Sequence, residues 1–220
     1  MEQFSVTKTK SGFQIEGFPD AAKVIQIEGP KAKRLADLSL HKTDLEFASE
    51  CLETINQVPD KPWVLRQALW RSAAIHYMKC FGGNNTRGQL SPNKIYKGNT
   101  EALTAFNYFK DLRNKHFVHD ENSYAQSIPC AILNKPDKSY KIEKIVCFSA
   151  IGETLEQGNW NNLHLLIQTA RKWVVVEFDK LCKIITKDLE AKPYEGLNNL
   201  EPVTYTVPKI EALKKNRNKP

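Results

Sequence analysis

Nowhere in its 220 residues does the chain hold an apolar run of about 18 residues, so nothing in it reads as a membrane span. Its opening residues, Met1-Glu2-Gln3-Phe4-Ser5-Val6-Thr7-Lys8, have no apolar signal core, and the expected location is cytoplasmic, with no membrane partner. Cysteine is scarce and scattered: Cys51, Cys80, Cys130, Cys147 and Cys182 are odd in number and form no Cys-x-x-Cys pair. That argues against a disulfide framework or a zinc site and for ordinary, mostly packed thiols. Glycine is also sparse, at 10 residues. Gly82, Gly83 and Gly88 lack the Lys-Ser/Thr ending of a phosphate loop and follow a helical pattern, which drops the Walker-type and dinucleotide-binding readings. Positive charge is the one surplus, +7 overall. Residues 209–220 hold Lys209, Lys214, Lys215, Arg217 and Lys219 against Glu211, a net +4, leaving +3 for the other 208 residues. Most of the basicity sits in that tail, so composition does not establish a broad nucleic-acid surface.

What remains is an ordinary globular composition, 41% hydrophobic and 26% charged, long enough for a sizeable core. Phe4–Thr9 and Phe13–Glu16 alternate around Lys10-Ser11-Gly12 as a small hairpin, and Val24–Ile27 reads as a third strand. Gly29-Pro30 opens a long helical pattern through Leu35, Leu38, Leu45, Ala48, Leu52 and Ile55, which Pro59 closes. Pro62 suits the first turn of a second helix running to about Phe81. Ser91-Pro92-Asn93 and Gly98-Asn99 keep the next connection irregular, and Asn99 or Thr100 caps a third helix. Ala125–Leu133 and Lys141–Ser149 read as two strands around Asn134-Lys135-Pro136-Asp137-Lys138. A long apolar helix follows from about Asn159 to Ala191; beyond Pro193 only Val203–Val207 suggests a strand. The expected fold is mainly α: a four-to-five-helix bundle with a small N-terminal β segment and a β-hairpin before the last long helix. The corresponding boundaries are an N-terminal β arm at 1–29, a helical domain at 30–191 with its hairpin at about 125–149, and an extended basic tail at 192–220.

The third helix carries the chemistry. With Arg113 at zero on a wheel of 100° per residue, Ala102, Phe106 and Phe109 fall within about 40° of it. If the helix continues, His116 and Asp120 share this face and His119 lies at its edge. A stripe that turns from Phe to Arg and His needs partners or a task, because burying charge is costly. Arg and His in a last helical turn also suit the helix dipole and the terminal carbonyls without any catalysis. A metal site at His116-x-x-His119-Asp120 has no third strong ligand nearby. His76 reads as a core histidine, Asp120 as a turn residue, and Trp63, Trp70, Trp160 and Trp173 as packing residues.

Leu112-Arg113-Asn114-Lys115-His116-Phe117-Val118-His119 resembles the signature of the HEPN superfamily of helical domains, an Arg and a polar residue followed by a His a turn or two later. The order of elements over roughly residues 30–190 is similar to abortive-infection-type members: an apolar helix ending near Cys80-Phe81, a loop with an Arg such as Arg87, the motif helix, a hairpin and a last long helix. Val118 stands where a small residue is common before the His. The resemblance implies an HEPN-like bundle and metal-independent RNA cleavage, without a cofactor, by a homodimer whose motif helices face one another. Arg113, Asn114 and His119 would be its catalytic residues, with Lys115, His116 and Arg87 as substrate contacts. Its biological class would be a toxin or phage-defence effector, with an antitoxin or regulatory protein as a further partner. The competing reading is a non-catalytic helical module that binds RNA, a nucleotide or a protein partner; a third is a purely structural dimerisation domain.

Overall fold

A computed structural model of the protein describes residues 6–9, 12–18, 20–57, 62–83, 87–119, 121–203, 207 and 209–211. Pro59, Asp120, the middle of the suggested strand Val203–Val207 and residues 212–220 of the basic tail lie outside them. The chain is mainly helical: β1 (Val6–Thr9), β2 (Gly12–Ile15), α1 (Pro30–Gln57), α2 (Trp63–Lys79), α3 (Pro92–Ile95), α4 (Thr100–Leu112), a π-helical turn (Arg113–Phe117), β3 (Ala125–Leu133), β4 (Ile142–Ile151), α5 (Gln157–Glu190) and α6 (Tyr194–Asn198). No helix among the described residues is long and apolar enough to cross a membrane. Contacts divide the chain into two compact units, each taken by itself below.

The first unit comprises Met1–Asp44, Gly82–Leu90 and Ala170–Pro220. In its hairpin β1 pairs antiparallel with β2, Val6 opposite Ile15. Gly29 turns the chain into α1 at φ +101, a left-handed value that side chains rarely adopt, and Pro30 starts the helix with φ preset and no N–H to satisfy. Val24–Ile27 is not a third strand. Only Ile25 bridges, to Pro202, flanked by Gln26 N–H to Glu201 O at 3.2 Å and Val203 N–H to Val24 O at 3.0 Å. The segment after Pro193 is not uniformly extended either, because α6 forms a short helix there. Lys23 Nζ donates to Asn198 O and Leu200 O at 2.8 and 2.6 Å, satisfying carbonyls at its end.

The second unit comprises Leu45–Phe81 and Ser91–Thr169. Its core is Leu45, Ala48, Leu52 and Ile55 of α1, Trp70, Ala73, Ala74 and Tyr77 of α2, Phe106, Phe109 and Leu112 of α4, and Leu163, Leu166 and Ile167 of α5. Spacings of three and four residues on each helix give these stripes. Ser91-Pro92-Asn93 opens α3, a helical turn instead of an irregular link, because Pro92 sits at its first position. Tyr96 just after it donates its hydroxyl to Leu166 O at 3.0 Å and shares a 2.7 Å hydroxyl contact with Tyr77. Trp70 is fully buried, its indole N–H donating to Thr154 Oγ1 at 2.9 Å. Trp63, expected to pack, is exposed, since it begins α2 before the apolar stripe starts. In the β3–β4 hairpin the register sets Ala125 opposite Ile151 and Cys130 opposite Val146, with an irregularity at Ile132/Leu133 where Glu143 is the extra residue.

Candidate active site

Asn99 caps α4: its Oδ1 accepts from the Ala102 N–H at 2.9 Å. From there Phe106, Phe109 and Leu112 run down the buried face, and Phe109 meets Trp70 edge-on at 5.9 Å between centroids. The regular turn then widens. Val118 N–H reaches Arg113 O at 3.1 Å, a bond across five residues, and Arg113–Phe117 form a π-helical turn. A wider turn breaks the spacing of 100° per residue, so a wheel drawn on α4 does not carry past Leu112.

The π turn sorts the motif residues. Arg113 and Asn114 are half-buried and brought together, Arg113 Nη1 donating to Asn114 Oδ1 at 2.8 Å. Among the described residues this is the only hydrogen bond of the guanidinium fork. Lys115 is exposed, 3.8 Å from Asp111. His116 turns inward and is buried, its ring 5.4 Å from those of both Phe117 and Tyr124. His119 lies two residues beyond the turn, outside the helix and exposed. The stripe from Phe to Arg to His therefore does not continue as one helical face: it ends in a buried histidine, a half-buried arginine and a solvent-facing histidine.

Two neighbours of the motif were not apparent from sequence. The Arg71 guanidinium of α2 lies over the Phe117 ring, 5.5 Å from its centroid. Gly152, just after β4, donates its N–H to Tyr124 O at 2.6 Å. A Cβ at Gly152 would stand 2.6 Å from Tyr124 Cδ1 and 3.3 Å from its Cγ. Both atoms are near the root of the ring, so the whole side chain would have to move. Gly152→Ala is therefore expected to cost about 1–3 kcal/mol and to shift the imidazole resonances of His116 through Tyr124. Denaturant melts with histidine NMR check it; a stable variant with unchanged His116 resonances would contradict it.

Arg87 differs from the expectation of a loop arginine reaching the substrate. It is buried in the first unit, with Nη1 2.5 Å from Asp44 Oδ2 and Nη2 2.5 Å from His41 Nδ1. The same network ties the loop to α1: Asp37 Oδ2 accepts from Gly88 N–H at 2.9 Å, and His41 Nε2 lies 2.8 Å from Gly88 O. A nitrogen facing a carbonyl must carry the proton, so Nδ1 is the acceptor for Arg87. The signal was present in the sequence: Arg34, Asp37, His41 and Asp44 recur at three and four residues, a polar line beside Leu38.

Burial, with Arg87 and Arg34 adding to it, lowers the His41 pKa to about 4, against the opposing Gly88 bond and Asp37. The unfolded chain binds this proton near the ordinary value of 6.5, whereas the folded chain resists it until about 4. Stability should thus fall as pH drops through this window and level off below it, by about 3 kcal/mol from this one group. Urea midpoints of wild type and His41→Gln at pH 7 and pH 4.5 check it: the wild type should lose more than the variant on acidification, and equal losses would contradict the assignment.

Among the described residues no group of three His, Cys, Asp or Glu side chains is placed to hold a metal ion. Comparisons with protein-family models, curated proteins and solved structures give no match to this chain.

Proposed function

We propose that the protein is a metal-independent endoribonuclease of the HEPN type, a toxin or phage-defence effector, cleaving RNA by attack of the 2′-hydroxyl on the adjacent phosphorus. The observation that supports this reading most is the sorting at the π turn, where an arginine fork oriented by Asn114 and an exposed histidine lie six residues apart. RNA carries its own nucleophile, so the protein must remove one proton, supply another and stabilise charge. His119, open to solvent, takes the 2′-OH proton or gives one to the leaving 5′-oxygen. Arg113 directs N–H groups to the non-bridging oxygens as negative charge gathers on the five-coordinate phosphorus. Asn114 holds the guanidinium by accepting from Nη1, and Lys115 adds positive charge near the phosphate track. The products are a 2′,3′-cyclic phosphate and a 5′-hydroxyl. One chain offers one such histidine; a homodimer doubles the set and gives acid and base one residue each.

The second reading, a non-catalytic module binding RNA, a nucleotide or a protein partner, draws on a different observation: the buried histidine of the motif is His116 and not His119. Incubation of purified protein with labelled RNA in EDTA separates the two. Fragments with cyclic-phosphate ends, and none from an RNA carrying 2′-deoxyribose at the cut site, are expected from the nuclease. RNA that is retained but never cut favours the binding module.

A further inference from the structure

The β3–β4 hairpin presents large apolar side chains that the described residues of its own chain leave exposed. Ile128 and Phe148 stand opposite one another on one face and are 55% and 68% exposed; Ile132 extends the same face, with Cys130 and Val146 half-buried between them. A two-stranded ribbon is marginal by itself, and a continuous exposed apolar strip marks a contact surface. We infer that this hairpin is the interface with a second copy of the chain, the two β4 strands pairing antiparallel about a two-fold axis at Cys147.

The edges select β4. Pro129 lies mid-strand in β3, whereas Ile142–Ile151 contains neither proline nor glycine. The alternation of the ladder selects the register. Gly152 N–H bonds Tyr124 O, so from Lys144 to Ala150 the even-numbered residues of β4 turn their backbone groups toward β3. The odd-numbered residues, Ile145, Cys147 and Ser149 among them, turn theirs to the open edge. A two-fold pairing must then centre on an odd residue. Centring on Cys147 overlaps the two strands over their whole length and sets Ile145 opposite Ser149. With the extra residue Glu143 counted, it also carries Lys141 to the level of Gly152, beside the partner's Glu153, both charges exposed, so opposite charges meet at each end. Centring two residues later would instead set Glu153 opposite Ile145 and shorten the overlap of the two strands. The joined sheet, in order β3-β4-β4-β3, gains up to about ten backbone hydrogen bonds and merges the two Phe148 faces into one.

This contact does not rest on the nuclease reading. Its axis passes through mid-strand, whereas a composite cleft needs an axis beside Arg113. A chain using both surfaces would assemble beyond the dimer, and variants at each surface are read separately by mass.

The test uses the full chain. Sedimentation should give a dimer or larger, and Ile145→Pro, which removes an outward N–H without touching the β3 ladder, should lower the mass by half. Lys141→Glu alone should weaken association several-fold, and Lys141→Glu with Glu153→Lys should restore it. Opposed residues of an antiparallel pair lie within reach of a disulfide. Two equivalents of Cu(II), each taking one electron while the two thiol protons pass to the buffer, should therefore link the wild type and Cys130→Ser as dimers. They should not link Cys147→Ser. A monomer at high micromolar concentration overturns the inference, as does a crosslink that survives Cys147→Ser. So does a hairpin protected only when a different strand-donating protein is added.

Discussion

Arg113→Ala and His119→Ala are each expected to reduce RNA cleavage by about 10²–10⁴-fold while leaving the melting temperature nearly unchanged. The two halves of that expectation come from different observations. Catalytic loss follows from role: removing an imidazole that transfers the proton, or a fork that meets charge on phosphorus, removes interactions made chiefly in the transition state. Structural tolerance follows from placement, since His119 is exposed and outside the helix, and among the described residues the Arg113 guanidinium bonds only its neighbour Asn114. Arg113→Lys should recover only part of the activity, because an ammonium has no planar fork. Asn114→Ala should fall between wild type and Arg113→Ala, and by less in an Arg113→Lys background, where the side chain it orients is already gone. The double Arg113→Ala/His119→Ala variant should be little worse than either single one, as for groups that act together. His116→Ala is the contrasting case. Its ring packs against Phe117 and Tyr124, so its loss should lower stability first and activity as a consequence. Single-turnover cleavage and thermal melts on the same preparations separate these outcomes. A stable His116→Ala without activity, beside an active His119→Ala, would exchange the roles of the two histidines.

The elements that were legible in the sequence owe their visibility to periodicity. α1, α2, α4 and α5 each show an apolar stripe at three and four residues, and the β3–β4 hairpin shows alternation on both sides of a turn. Short elements stabilised by partners far along the chain were not visible. Ile25 forms an isolated bridge to Pro202, and α6 is finished by Lys23, which no local window reveals. At the site, the residue types Arg113, Asn114 and His119 could be named, but not the π turn that distributes them. That turn is marked by bonds across five residues, Val118 N–H to Arg113 O among them, and propensity carries no trace of it. Arg87 shows the opposite failure. A glycine-flanked arginine in a loop reads as solvated until the Asp37, His41, Asp44 line on α1 is recognised as its counterpart.

Arg87→Ala is expected to cost about 3–5 kcal/mol, the largest stability loss in the molecule from one polar side chain. Both partners of the Arg87–Asp44 pair retain only 9% side-chain exposure, so truncation leaves a carboxylate deep in the unit with its principal cation removed. The same change deprives His41 Nδ1 of its donor and releases the Gly82–Leu90 loop from two of its anchors on α1. For a chain of this size the melting point should fall on the order of 10 °C. The pair itself need not be strongly stabilising, because removing two ions from water offsets most of their attraction. Arg87→Met with Asp44→Leu should therefore recover much of the loss, whereas Arg87→Met alone should not. His41 supplies an internal readout. Burial is the first cause of its lowered pKa and Arg87 a lesser one, so in Arg87→Met the value should rise from about 4 without returning to the ordinary range. Imidazole titration by NMR measures that rise on the folded variant. A single-variant loss below about 1 kcal/mol would show that the pair behaves like a surface ion pair, and that Asp37 and Gly88 hold the loop without it.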